Sequence, residues 1–185
     1  MSEVTKELVQ ELLDVLRGMG YICQLVGGAA YTLYTEDKLT PIKDLDIRFP
    51  IVLTPEDDAR FTAQGITLTQ YLDVNSIGSY RDSVARKSTL NAEFEDRIKY
   101  LTKAQYKGID IDLIVFAEDE LQAALSTFDI SFNCIAYDGS FIKGSLFDAD
   151  VGIWLKEVTF QRYHHMCTKF KHKAIRPNTK GILYE

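Results

Sequence analysis

The stretch Ile109-Asp110-Ile111-Asp112-Leu113-Ile114-Val115-Phe116 leaves this chain little choice of local structure. Its β-branched and aromatic content predicts a strand, and its apolar run predicts one buried on both faces. Two carboxylates interrupt it. Fraying at the start of the strand accounts for Asp110 but less easily for Asp112, because four apolar residues follow directly. A second acidic strand lies upstream. Asp44–Phe49 alternates, with Leu45, Ile47 and Phe49 on one face and Asp44, Asp46 and Arg48 on the other, and Pro50 limits its run.

Carboxylates two apart on a strand point the same way, with Cα atoms about 6.5–7 Å apart. At ~6 Å and an effective dielectric of ~20 they repel by about 3 kcal/mol. A divalent cation between them turns that repulsion into binding, and all-oxygen ligands favour magnesium or manganese. A solvated polar face is the alternative reading. Gly27-Gly28 adds a second signal, since it joins the short apolar strand Tyr21–Val26 to a helix over Ala29–Glu36. Bare amides at a helix start admit a phosphate without a Cβ in the way, although most such pairs are plain turns.

Around these features, three- and four-residue spacing of Val4, Leu8, Leu12, Leu16 and Met19 predicts an amphipathic helix from Ser2 to Gly18. Lys38–Lys43 reads as a loop, Thr54-Pro55-Glu56 as a capped helix start, and Ala92–Tyr100 and Ala117–Leu125 as helices. Lys107-Gly108 predicts a turn. Ile130–Tyr137 is expected as a strand that Asp138-Gly139 turns into Phe141–Lys143, and Val158–Ala174 as a closing basic helix. The order implies an α+β fold, a mixed sheet with helices packed mainly on one face. We divide it into residues 1–150 and a helical appendage over 151–185.

The 185 residues, 46% hydrophobic and 26% charged, exclude disordered and coiled-coil classes. No apolar run approaches a membrane span, and no signal peptide is visible. Three scattered cysteines without a CxxC pair point to a reducing, cytoplasmic setting, without a zinc site or disulfide framework. A net charge of −6 argues against a constitutive nucleic-acid grip.

Taken in order, Leu25-Val26-Gly27-Gly28, a short helix and Asp44-Leu45-Asp46-Ile47 resemble the signature of the DNA polymerase β-like nucleotidyltransferase superfamily. Phe128-Asp129-Ile130-Ser131-Phe132-Asn133-Cys134-Ile135-Ala136-Tyr137-Asp138 is similar to the RRDFTINALAYD motif in the head domain of CCA-adding enzymes and bacterial poly(A) polymerases. Asp129, Asn133, Ala136, Tyr137 and Asp138 coincide. The likeness covers roughly residues 20 to 150. It implies that Gly27 and Gly28 hold the phosphates of an incoming NTP and that Asp44 and Asp46 bind Mg²⁺ or Mn²⁺. Asp112, or else Asp110, would be the third carboxylate, activating the attacking hydroxyl. Asp129 and Asn133 would line the nucleotide pocket near the sugar.

Two departures stand out. Thr127 and Phe128 replace the family's paired arginines, and Ala29-Ala30-Tyr31-Thr32 lacks its basic residue, leaving Lys43, Arg48, Arg81, Arg86 and Lys87 as candidate substitutes. Arg162, His164, His165, Lys169, Lys171, His172 and Lys173 read as a solvated basic face, with an RNA or nucleotide contact as the alternative. Tyr163, Phe170, Trp154 and Phe147 read as core. The expectation is a metal-dependent nucleotidyltransferase moving a nucleoside monophosphate from an NTP to a hydroxyl on RNA or protein. The alternatives are an inactive nucleotide-binding or regulatory module of the same fold, and a toxin-like transferase modifying tRNA or protein.

Overall fold

A computed structural model of the chain describes residues 4–36, 38–39, 44–73, 98–156, 158–170, 174–175 and 182–183. Its centre is a mixed seven-stranded sheet. In chain order the strands are β1 (Gln24–Val26), β2 (Asp44–Arg48), β3 (Ile66–Asp73), β4 (Ile98–Tyr106), β5 (Ile109–Phe116), β6 (Ile135–Tyr137) and β7 (Phe141–Lys143). They lie side by side as β3-β4-β5-β2-β1-β6-β7. Only β2 and β5 run parallel; every other neighbouring pair is antiparallel.

Period-two alternation sorts the sheet's side chains into two faces. One face carries Leu25, Leu45, Ile47, Ala104, Ile111, Leu113, Ile135 and Tyr137, all buried in the main core. Helix α1 (Lys6–Gly18) covers this face with Val9, Leu12, Leu13 and Leu16, and helix α2 (Gly27–Glu36) with Ala29, Ala30, Tyr31 and Leu33. The Thr5 hydroxyl accepts from the Leu8 amide at 3.1 Å and so caps α1, which starts at Lys6 rather than at Ser2.

The opposite face divides along its length. At one end Val26, Leu101, Ile114, Phe116 and Ala136 form a smaller core with Ala124, Leu125 and Phe128, over which the short helix α4 (Leu121–Leu125) lies. At the other end Asp44, Asp46, Asp110 and Asp112 are left partly or fully exposed. This division explains why acids open β5 and apolar residues close it: a helix covers only the second half. The strand is buried on both faces only there.

Other expectations need correction. Residues 98–100 begin strand β4 instead of ending a helix, because Leu101 and Ile98 pair across to β5 and are buried; residues 92–97 lie outside the described part. Residues 117–120 are bends, so only Leu121–Leu125 is helical. Ile130–Tyr137 is not one strand. A 3-10 turn over Ser131–Asn133 precedes β6, its backbone tied through Ser131 Oγ, which accepts from the Ile153 amide at 2.8 Å. Lys38–Leu39 pairs with Val4–Thr5 instead of being loop. Helix α2 begins two residues early, at Gly27, and the last helix, α5 (Phe160–Lys169), is shorter than expected. Thr54 does cap a helical turn, with Asp57 closing the capping box before α3 (Asp58–Thr62). Lys107-Gly108 turns β4 into β5 with φ of 49° and 79°, the left-handed pair that a tight hairpin requires. Among the described residues, no helix is long and apolar enough to cross a membrane.

Candidate active site

The parallel pairing of β2 with β5 sets Asp44 opposite Asp110 and Asp46 opposite Asp112. Paired residues on adjacent strands share a face and sit about 4.8 Å apart. All four carboxylates therefore project from one side of the sheet, away from α1 and α2. Asp112 is half-buried: its side chain is 16% exposed. Burial raises its pKa above the ordinary carboxylate value, Lys103 opposes that, and Asp44 and Asp110 reinforce it.

Strand β4 contributes two residues that sequence reasoning missed. Lys103 lies opposite Asp112 and donates to its Oδ1 at 3.3 Å. Gln105 lies opposite Asp110 and donates to its Oδ1 at 3.0 Å. Nothing in the sequence marked them, since β4 was unreadable and its register sets both contacts.

The all-oxygen donor set suits a hard divalent cation, and strand register brings the donors to one face. In the present rotamers, however, no group of three or more His, Cys, Asp or Glu side chains among the described residues is gathered closely enough to hold an ion. The contacts to Lys103 and Gln105 show why, since each draws one of the β5 carboxylates toward β4.

A stability experiment follows from Asp112. Its folded pKa lies above 3.8, so folding takes up a proton between the two values. The stability this gives is complete below the unfolded pKa and is lost as pH rises through the folded one. Asp112→Asn should therefore raise the melting temperature near neutral pH, with the gain fading toward pH 3.8. Lys103 is 40% exposed and loses little when its partner is neutral. A melting temperature that falls at neutral pH would contradict this.

The diglycine lies next to these acids. Extending the β1–β2 register beyond Leu25–Ile47 sets Val26 beside Asp46, and the chain then turns at Gly27 into α2. Gly27 has φ +73°, and a Cβ there would meet Phe128 Cε1 at 3.3 Å. Alanine at 27 should cost about 1–2 kcal/mol from the left-handed backbone alone, a loss readable in urea unfolding; an unchanged midpoint would refute it. A Cβ on Gly28 would sit 3.7 Å from Asn133 Oδ1 and 2.8 Å from Lys169 Nζ. Asn133 is buried, and its Oδ1 has no hydrogen-bond partner.

The final helix is a solvated basic face only in part, with His164, His165 and Lys169 exposed and Arg162 half-buried. Arg162 donates from Nε and Nη2 to the two oxygens of Asp129, at 2.8 and 3.1 Å, with both side chains 12% exposed. Lys169 is exposed overall, yet its ammonium turns inward to Gly28. Burial of that ammonium and the nearby Arg162 lower its pKa, and Asp46 counters them. Met166 is buried, and Phe170 packs edge-on against Tyr31 and Phe132. Tyr163 faces Trp154, as expected of core aromatics. His164 and His165 do point outward; residues 171–173 lie outside the described part.

The same architecture occurs in solved structures. A CCA-adding enzyme in its apo form I superposes with a TM-score of 0.53 at 14% identity, over 94% of this chain and 40% of that one. The CCA-adding enzyme of Bacillus stearothermophilus in complex with CTP gives a TM-score of 0.50 at 19% identity, over 92% of this chain and 40% of that one. This chain has a nucleotidyltransferase fold. It spans about two fifths of the length of those enzymes. No protein-family model matches the sequence, and no curated protein matches it.

Within the nucleotidyltransferase fold, the expected arginine substitutes fare unevenly. Arg48 bonds Gln24 Oε1 at 3.0 Å and the Asp119 carbonyl at 2.5 Å, which ties β1, β2 and the 117–120 bend together. Lys43, Arg81, Arg86 and Lys87 lie outside the described residues. Among the described residues, the cation found beside the diglycine is Lys169, with the charge of Arg162 near it, from a helix read in the sequence as a solvated face with a nucleotide contact as the alternative. A groove of about 790 Å³ lies elsewhere, along α1. Glu7, Glu11 and Asp14 edge it and would repel an anionic nucleotide.

Proposed function

We propose that this chain is a nucleotidyltransferase that moves a nucleoside monophosphate from an NTP to an acceptor hydroxyl on RNA or protein. The observation carrying this reading is the register that aligns Asp44 and Asp46 with Asp110 and Asp112 beside a strand–diglycine–helix junction. Asp44, Asp46 and Asp112 would hold Mg²⁺ or Mn²⁺, with Asp110 the alternative to Asp112. The metal would supply charge neutralisation for the triphosphate and its leaving group.

The chain's own groups have distinct tasks. The first-turn amides of Gly27 and Gly28, at the positive end of α2, would receive phosphate oxygens. The unpartnered Asn133 Oδ1 would accept from a sugar hydroxyl, and Asp129, fixed by Arg162, would border the same pocket. Asp112 would take the acceptor's proton as it leaves the attacking hydroxyl. The acceptor oxygen bonds the α-phosphorus, the α–β bridging bond breaks, and pyrophosphate leaves. Metal-dependent pyrophosphate release from NTP tests the reaction. Labelled NTP added to a cell extract tests the acceptor, by whether RNA or protein gains label. Absence of release with every NTP would overturn the reading.

One observation favours a second reading, a nucleotide-binding module without turnover: the Lys103 ammonium pairs with Asp112 where a catalytic cation is needed. Nucleotide binding without pyrophosphate release, in the presence of Mg²⁺ or Mn²⁺, would select it.

A further inference from the structure

Helix α5 puts a positive charge where a positive charge is least comfortable. A helix N-terminus carries about half a unit of positive charge. Helix α2 has no acidic residue in its first turn to offset it. Into that position comes the Lys169 ammonium, 2.8 Å from where a Gly28 Cβ would stand, with Arg162 repelling it along the same helix and Asp46 only partly offsetting this. Residues 162 and 169 are seven apart, two turns, and so share a helix face. The placement is held by Met166 in the core and by Phe170 against Tyr31 and Phe132. The buried, unpartnered Asn133 Oδ1 independently marks the same spot as built for a ligand, one that carries a hydroxyl donor beside its phosphates.

We infer that Lys169 is the triphosphate-binding cation of this site, supplying from α5 the charge missing at positions 29–32 and 127–128, so that phosphate binding and docking of α5 are linked. This inference rests on the nucleotidyltransferase reading for the ligand's identity, but not for the anion site. A polyanion received at the Gly28 turn, with the Lys169 ammonium swung aside to pair with it, meets the amides, the helix end and the ammonium together, and offsets the repulsion from Arg162. Binding that uses a residue of α5 must stabilise the docked helix by the same free energy.

The test titrates the full chain with inorganic tripolyphosphate in the absence of divalent metal, and separately with NTP plus Mg²⁺. Binding is read from the fluorescence of Trp154, the sole tryptophan, which lies 6.0 Å from the Tyr163 ring of α5. Hydrogen exchange at residues 160–169 reads the helix. Wild type should bind tripolyphosphate and gain protection across α5. Lys169→Gln should bind both ligands about tenfold or more weakly, the scale of a lost charge-assisted hydrogen bond, and lose the protection. Lys169→Arg should retain most of both. The inference is overturned if Lys169→Gln binds like wild type, if α5 exchange does not respond, or if wild type ignores tripolyphosphate. Tripolyphosphate binding that depends on Lys169, with no pyrophosphate release from any NTP, would instead overturn the transferase reading and leave the anion site standing.

Discussion

Asp46→Ala is expected to reduce metal-dependent pyrophosphate release by about a thousandfold, the scale on which preorganised charge at a reacting phosphate contributes. The residue lies at the centre of the acidic face: Asp112 stands opposite on β5, Asp44 two residues back, and its charge reaches Lys169 beside the diglycine. Fold should survive the change, because removing one of several like charges relieves repulsion. The comparison therefore pairs single-turnover pyrophosphate release with a thermal melt. Asp110→Asn and Asp112→Asn run beside it. Loss of release in Asp112→Asn with retention in Asp110→Asn assigns the third carboxylate; the reverse moves that role to the exposed end of β5. Equal release by wild type and Asp46→Ala would remove the catalytic assignment from this face.

Arg162→Ala should destabilise the chain by about 3 kcal/mol, since it strands the buried Asp129 carboxylate without its bidentate partner. For a chain of this size that is a fall of about 6–12 °C in melting temperature. A double replacement, Asp129→Leu with Arg162→Met, should recover most of the loss, because a matched apolar pair carries no unpaired charge. Calorimetry of the single and double variants decides it. A single variant that melts within a degree or two of wild type would mean that the pair is replaced by water and does not anchor α5. The same measurement separates anchoring from ligand binding: Lys169→Gln, whose side chain holds no buried partner of this kind, should melt close to wild type.

Much of the sheet was written in local pattern. Alternation over 44–48 and 109–116, the diglycine and the Lys107-Gly108 turn each depend on neighbours within a few residues, and each was readable for that reason. Strand β3 and strand β4 were not. Their inward residues are separated by polar ones without strict alternation, and a register shift lies within each pairing. Lys103 and Gln105 were hidden with them. The 3-10 turn at Ser131–Asn133 escaped because an apolar run looks the same whether its backbone pairs with a strand or with the Ser131 hydroxyl's neighbours.

Which acids could share a strand face followed from spacing alone, because the period of two is a property of any extended backbone. That Asp46 faces Asp112 followed only from the parallel register of two strands about sixty residues apart in the chain, a choice made by the packing of Leu45, Ile47, Ile111 and Leu113 under α1 and α2. The charges of Arg162 and Lys169 posed the same difficulty. On a helix whose amphipathic pattern allowed either to face water, only Met166 and Phe170, seated against the core, turned both cations toward Asp129 and Gly28.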